Sequence, residues 1–268
     1  MELVEHSVRL IFAICGGCFA PHPQAGAPCP SGVCPEGLTC SPATQTCELR
    51  AVDARVPDMP LVDTGGAIDS RPIELLRQQI TNYADTGPSL TATLPAPPTS
   101  GRMLVMIGAN VSGALTSVTG GGTTWTLATS STRYANVEIW FGITDGSSAT
   151  VTITLNGSSS PIWMSVSEWS GLAALDAARS TFGATSPASA GAITTTGPDL
   201  LLFAVADSVP NTFGTPTPGT WTAMTGTTGM YTQLEWYRTE MVAGTYVPTV
   251  SETAGAWDAA IAAFHIAP

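Results

Sequence analysis

From about Gln78 to the C-terminus the chain is a succession of short apolar runs, rich in Val, Thr, Ile, Leu and Trp, separated by Gly, Pro, Asn and Ser. No stretch repeats its apolar residues at the three-to-four spacing of a helix. The runs therefore predict strands over Gln79–Tyr83, Leu90–Leu94, Met103–Asn110, Leu115–Val118, Trp125–Ala128, Tyr134–Ile143, Thr150–Leu155, Ile162–Trp169 and Ala177–Phe182. A second series follows at Ala192–Thr195, Leu200–Asp207, Trp221–Met224, Tyr231–Thr239, Tyr246–Val250 and Ala256–Ile266. Short strands at regular spacing, with turn residues between them, predict an all-β sandwich or barrel.

The pattern occurs twice. Gly101-Arg-Met-Leu-Val-Met-Ile precedes Gly197-Pro-Asp-Leu-Leu-Leu-Phe by 96 positions, and Thr124-Trp-Thr-Leu precedes Thr220-Trp-Thr-Ala by the same interval. Val137-Glu-Ile-Trp matches Leu234-Glu-Trp-Tyr at 97, with one inserted residue between the blocks. Two similar halves, about 101–171 and 197–267, each with an open apolar face, are expected to bury those faces against each other. One two-sheet sandwich over 78–268 results, and a body of that size buries roughly 70% of its unfolded surface. Its strand pattern resembles the jelly-roll, concanavalin-like sandwiches appended to many bacterial exported proteins, which implies a surface-associated role.

Ahead of this body the pattern changes character. Leu10 to Ala20 is apolar or small and too short to span a bilayer. It fits the apolar core of a secretory leader, although Glu2 and Glu5 outweigh Arg9 before it. Gly16-Gly17-Cys18 resembles the end of a bacterial lipobox, with Cys15 where Leu is usual. That resemblance implies cleavage within the leader region 1–20, just before Cys18, which becomes the lipidated N-terminus, so that the chain meets a membrane only through a lipid anchor. The alternative for Cys15-Gly-Gly-Cys18, a redox or metal pair, is opposed by Pro21 and Pro23, which forbid the helix such a site needs.

Residues 21–50 hold Cys29, Cys34, Cys40 and Cys47 among prolines and glycines. A segment this short cannot bury a core, so a covalent staple is expected. The evenly graded spacing fits zinc poorly, because zinc sites favour close pairs. Two disulfides are the reading, with all three pairings open. The segment resembles Cys-rich modules near the N-terminus of bacterial surface lipoproteins. Residues 51–77 repeat Asp, Pro and Gly without hydrophobic period and are read as a solvated, disordered spacer.

Composition narrows the partners. The nine cationic residues are all Arg and face twenty acidic ones, for a net charge of -11. That balance excludes a nucleic-acid footprint and charge-driven membrane binding. Hydrolase signatures are missing: there is no G-x-S-x-G elbow, and of His6, His22 and His265 only the last lies in the sandwich. No cofactor is expected, although a structural calcium could sit among Asp176, Asp199, Asp207 or Asp258.

Strand alternation places Val137, Ile139 and Phe141 on one face and Glu138 with Trp140 on the other. In the second copy Leu234 and Trp236 take the apolar face, leaving Glu235 and Tyr237 opposite. Each half thus offers a carboxylate beside an aromatic ring on a face expected to be free of the core, which suits a sugar. Glu138, Trp140, Glu235 and Tyr237 are the candidate ligand contacts. Glu138 and Glu235 as an acid and nucleophile are the minor, glycosidase alternative. Glu168 reads as an isolated surface carboxylate, and Trp125, Trp221, Trp163, Trp169 and Trp257 as core. The expectation is a non-enzymatic, exported surface protein that binds a glycan or cell-surface component, with a purely structural surface module as the alternative.

Overall fold

The computed structural model describes residues 28–29, 34, 38–41, 45–49 and 75–267, apart from 112, 157–160, 225–231 and 254. The leader with Cys18, and the spacer up to residue 74, lie outside the described residues. The chain divides into two compact units, Met1–Asp69 and Ser70–Pro268.

In the first unit, β1 (Leu38–Ser41) and β2 (Thr46–Leu49) form an antiparallel hairpin with Cys40 opposite Cys47. Two disulfides hold it, Cys29–Cys40 and Cys34–Cys47. Of the three pairings, the chain uses first to third and second to fourth. With all four sulfurs bonded in pairs, none is free as a thiolate for zinc.

Among its described residues the second unit has fifteen strands in the order read from the sequence, β3 to β17. The first copy contains β3 (Leu76–Ala84), β4 (Ser89–Thr93), β5 (Met103–Asn110), β6 (Leu115–Gly120), β7 (Thr126–Ser131), β8 (Val137–Ile143), β9 (Thr150–Leu155) and β10 (Ile162–Trp169). The second contains β11 (Leu172–Gly183), β12 (Ile193–Thr194), β13 (Asp199–Asp207), β14 (Thr222–Ala223), β15 (Thr232–Glu240), β16 (Thr245–Tyr246) and β17 (Trp257–Ile266). The repeat is longer than the matched sequence blocks, because β3 and β4 and their counterparts β11 and β12 belong to it. Strand β3 also begins at Leu76, inside the stretch read as spacer.

Strand order confirms the duplication. The first copy makes a five-stranded sheet β3-β10-β5-β8-β7 and a three-stranded sheet β4-β9-β6. The second makes β11-β17-β13-β15-β14 and β12-β16, with its missing strand reduced to the bridges Phe213–Glu252 and Thr217–Thr249. The chain crosses between the two layers at most steps, the exceptions being β7 to β8 and β13 to β14 to β15 within one sheet. The orders β3-β10-β5-β8 and β4-β9-β6 are those of a jelly roll. The expected all-β sandwich of two similar halves is therefore present, and each half is itself two-layered.

Three cores fill the gaps between these layers. Leu104, Met106, Ile153 and Val166 fill the first roll, and Leu201, Phe203, Trp236 and Ile261 fill the second. Between the rolls, Val105, Ile107, Ile139 and Trp163 of one five-stranded sheet meet Leu202, Ala204, Ala262 and Phe264 of the other. This explains the strand sequences. Strands β5 and β13 are buried on both faces and read as unbroken apolar runs. The outer strand β4 alternates exposed and buried positions.

The contact between rolls is reciprocal. Phe141 of β8 meets Phe264 of β17 edge to face, with centroids 5.4 Å apart. Tyr237 of β15, which corresponds to Phe141, meets Trp169 of β10 at 5.3 Å. Such pairs add about 0.5–1.5 kcal/mol each beyond buried area. Only Ser170 and Gly171 join β10 to β11, and Gly171 has φ +69.

One glycine in the first roll is tightly specified. Gly120 ends β6 with φ +83, and a Cβ there would lie 2.1 Å from the Thr150 carbonyl oxygen. Gly120→Ala is expected to destabilise the fold by about 1–3 kcal/mol, read as a lower urea midpoint with an unchanged slope.

Candidate functional site

The four candidate ligand contacts do not share a free face. Glu138 is 2% exposed and Glu235 1% exposed. Glu138 and Trp140 point into the first roll's own core, where Trp140 packs. Tyr237 packs into the core between the rolls, and Glu235, two positions away on the same strand, shares that face. The reason is a slip of one residue in matching the copies. Side chains entering equivalent cores pair Trp140 with Trp236 (a difference of 96) and Met106 with Phe203 (a difference of 97). Glu138 thus corresponds to Leu234, and Glu235 to Ile139. A one-residue shift exchanges the faces of a strand. The first roll's five-stranded sheet therefore separates the two carboxyls, and they form no acid–nucleophile pair on one surface.

The protein itself uses both groups. The Leu115 N–H donates to Glu138 Oε1 at 2.9 Å, and Trp140 Nε1–H donates to Oε2 at 2.8 Å. Burial raises the Glu138 carboxyl above its ordinary range, and these two bonds oppose the rise. Glu235 is pushed up to about 8 by burial, against hydrogen bonds from Ser165 and Gln233.

Glu168 is also buried rather than on the surface. It accepts hydrogen bonds from the Thr99 N–H (2.8 Å), Arg102 Nη1 (3.1 Å) and Gln78 Nε2. Burial raises its carboxyl, yet these bonds and the Arg102 charge hold it below the usual range. Trp163, Trp169, Trp221 and Trp257 are core, as expected. Trp125 is half-buried against the first roll's core, and its Nε1–H donates to the Gly120 carbonyl, as that of Trp221 donates to Pro218.

The four aspartates are dispersed. Asp207 accepts from Val209 N–H and Asn211 Nδ2, and burial raises its carboxyl. Asp258 lies between the rolls, buried on β17, and is filled by donors of the other copy. These are Ser131 Oγ, the Arg133 N–H (3.1 Å) and the N–H groups of Tyr134 and Ala135 (both 2.6 Å). Asp176 and Asp199 meet instead at His265.

One cleft of the unit lies at the junction of the copies. It has a volume of about 600 Å³ and is lined by Ser130, Ser131, Thr132 and Arg133 of the first copy and Ser180, Thr181 and Phe182 of the second. Its walls are joined by bonds from Ser180 Oγ to the Ser130 carbonyl and from Ser131 Oγ to the Thr181 carbonyl. Asp258 holds one lip from beneath. At the mouth Phe182 is 55% exposed and meets Tyr134 edge to face at 6.0 Å. The Arg133 guanidinium lies 5.8 Å from the Tyr134 centroid and 5.9 Å from that of Phe182. Among the described residues no carboxylate pairs with it.

Sequence reasoning missed this cleft. Phe182 was legible only as the end of a strand, and Arg133 only as one cation in an acidic chain. The signal available was the sequence Thr132-Arg133-Tyr134, a cation beside an aromatic between two strands. The architecture defines an all-β protein of two duplicated jelly-roll sandwiches behind a disulfide hairpin. No family model matches the chain, and no curated protein or solved structure matches it either.

Proposed function

We propose that the chain is an exported, lipid-anchored surface protein whose duplicated sandwich binds an acidic glycan in the cleft between its copies. One observation carries this reading: in a chain of net charge -11, the Arg133 guanidinium, without a carboxylate partner among the described residues, stands between two aromatic rings at the mouth of a hydroxyl-lined cleft. An exposed ring packs on the apolar face of a sugar, and a guanidinium takes a carboxylate or sulfate through two parallel hydrogen bonds. The hydroxyls of Ser130, Thr132 and Ser180 supply the neutral contacts such a ligand needs. Because the lip is fastened by Asp258, little ordering is lost on binding.

The test is a glycan array that includes uronic-acid and sulfated chains, probed with the full-length protein, Arg133→Ala and Phe182→Ala. Saturable, salt-sensitive binding that weakens more than about tenfold in each variant is the expected result. Binding that survives both substitutions, or no binding to any acidic glycan, overturns it.

A structural surface module is the second reading, and the hydroxyl rows on the outer layers favour it. Thr91 pairs with Thr152 (2.9 Å), Thr93 with Thr150 (3.2 Å) and Thr194 with Thr245 (3.0 Å). Such rows satisfy one another and offer a partner few free groups.

A further inference from the structure

We propose that Asp176, Asp199 and His265 form a site for a divalent transition-metal ion, zinc first among them, at the edge of the second roll. The three come from three strands. Asp199 opens β13 and lies directly opposite His265 of β17 in the ladder. Asp176 sits where β11 shifts register against β17, between the pairs Leu175–Phe264 and Ala177–Ala263. Bulges of this kind re-aim a side chain, and here the carboxylate turns toward the other two. One ligating atom from each residue falls within 4.8 Å of the others. His265 Nδ1 is 3.0 Å from Asp199 Oδ1, and Nε2 is 3.5 Å from Asp176 Oδ1.

Asp199 is the observation that points to a cation. Its side chain is 0% exposed, and beyond the His265 contact and a weak approach of the Gly197 N–H neither carboxylate oxygen is satisfied by a well-formed hydrogen bond. A buried carboxylate in that state is expensive unless a positive charge joins it. Asp176, by contrast, is oriented from behind by the Thr196 N–H (2.6 Å) and hydroxyl (2.8 Å). That is the support a ligating carboxylate needs.

The donor set selects the ion. An imidazole nitrogen with two carboxylates suits zinc and its neighbours, whereas calcium and magnesium take oxygen donors. Three protein ligands leave a fourth position, and the 36% exposure of the His265 side chain opens that position to water. Duplication does not account for the trio. By the face-matched correspondence, the first copy has Arg102 in place of Asp199 and Ser170 in place of His265. The site belongs to the second copy alone and is independent of the cleft reading.

The experiment titrates the full-length, disulfide-intact protein with cobalt(II), followed by its visible absorption, and measures thermal stability with added zinc. Variants His265→Gln and Asp199→Asn are run beside it, with circular dichroism to verify folding. The expected result is saturable uptake with a raised melting temperature, weakened more than about tenfold in both variants. Should Asp199→Asn fail to fold, the half-exposed His265→Gln decides alone. No uptake by the parent protein makes His265 only a counter-ion to the two carboxylates and overturns the proposal. Uptake that His265→Gln leaves unchanged overturns it equally, placing the metal elsewhere.

Discussion

Replacing Glu235 by Gln is expected to make the protein more stable at pH 8 and above, with no gain at pH 4. In the folded protein this carboxyl keeps its proton up to about pH 8, because burial penalises the charged form; in the unfolded chain it loses the proton near 4.5. Between those values the folded state holds more protons than the unfolded one, so stability falls as pH rises through that window and levels off above it. The hydrogen-bond partners, Gln233 and Ser165, are neutral and supply no charge to offset the burial. The whole decline is on the order of 5 kcal/mol by the one-unit conversion. An amide of the same shape does not ionise and removes this term. Urea denaturation of both proteins across pH 4–9 tests it: the difference should open between 4.5 and 8. Parallel curves would mean that Glu235 is already ionised at neutral pH.

The second large effect concerns Asp258. Its carboxylate is buried, as are Ser131 and Ala135, and accepts from the Ser131 hydroxyl and three consecutive backbone N–H groups of the loop between β7 and β8. Asp258→Ala leaves those donors without their acceptor, the Ser131 and Ala135 groups away from water, at a cost of about 3–5 kcal/mol. The loss is local as well as global. Amide hydrogen exchange at residues 133–135 should accelerate far more than at the β13 centre, because the lip detaches while the cores persist. The glycan binding proposed for the cleft should weaken in the same variant, since Arg133 and Tyr134 lose their support. Unchanged exchange at 133–135 would show that the loop is held by something else.

The elements were legible because turn chemistry delimits them: Met103–Asn110, Thr150–Leu155 and Ile162–Trp169 have the same bounds in the structure as in the pattern. The faces were not. Strands β5 and β13 lie between layers on both sides, so Met-Leu-Val-Met-Ile and Leu-Leu-Leu-Phe carry no alternation to say which residue looks which way. Aligning them on their leading glycines puts β5 one residue out of step with β13. Matching Val137-Glu-Ile-Trp to Leu234-Glu-Trp-Tyr at 97, where the faces require 96, made Glu138 and Glu235 look equivalent. The trio Asp176, Asp199 and His265 was out of reach for a different reason. A ladder register and a bulge bring it together, and no local spacing encodes either.

Ser170 and Gly171 have a consequence for how the two rolls can be built. As separate chains, two such sheets would meet bimolecularly and come apart on dilution. A two-residue tether makes their meeting unimolecular, at an effective concentration in the millimolar range or above. Docking is then insensitive to how little protein is present. It also tolerates an interface weakened by an acid such as Glu235, which a dilution-limited pair would carry at the expense of its own assembly.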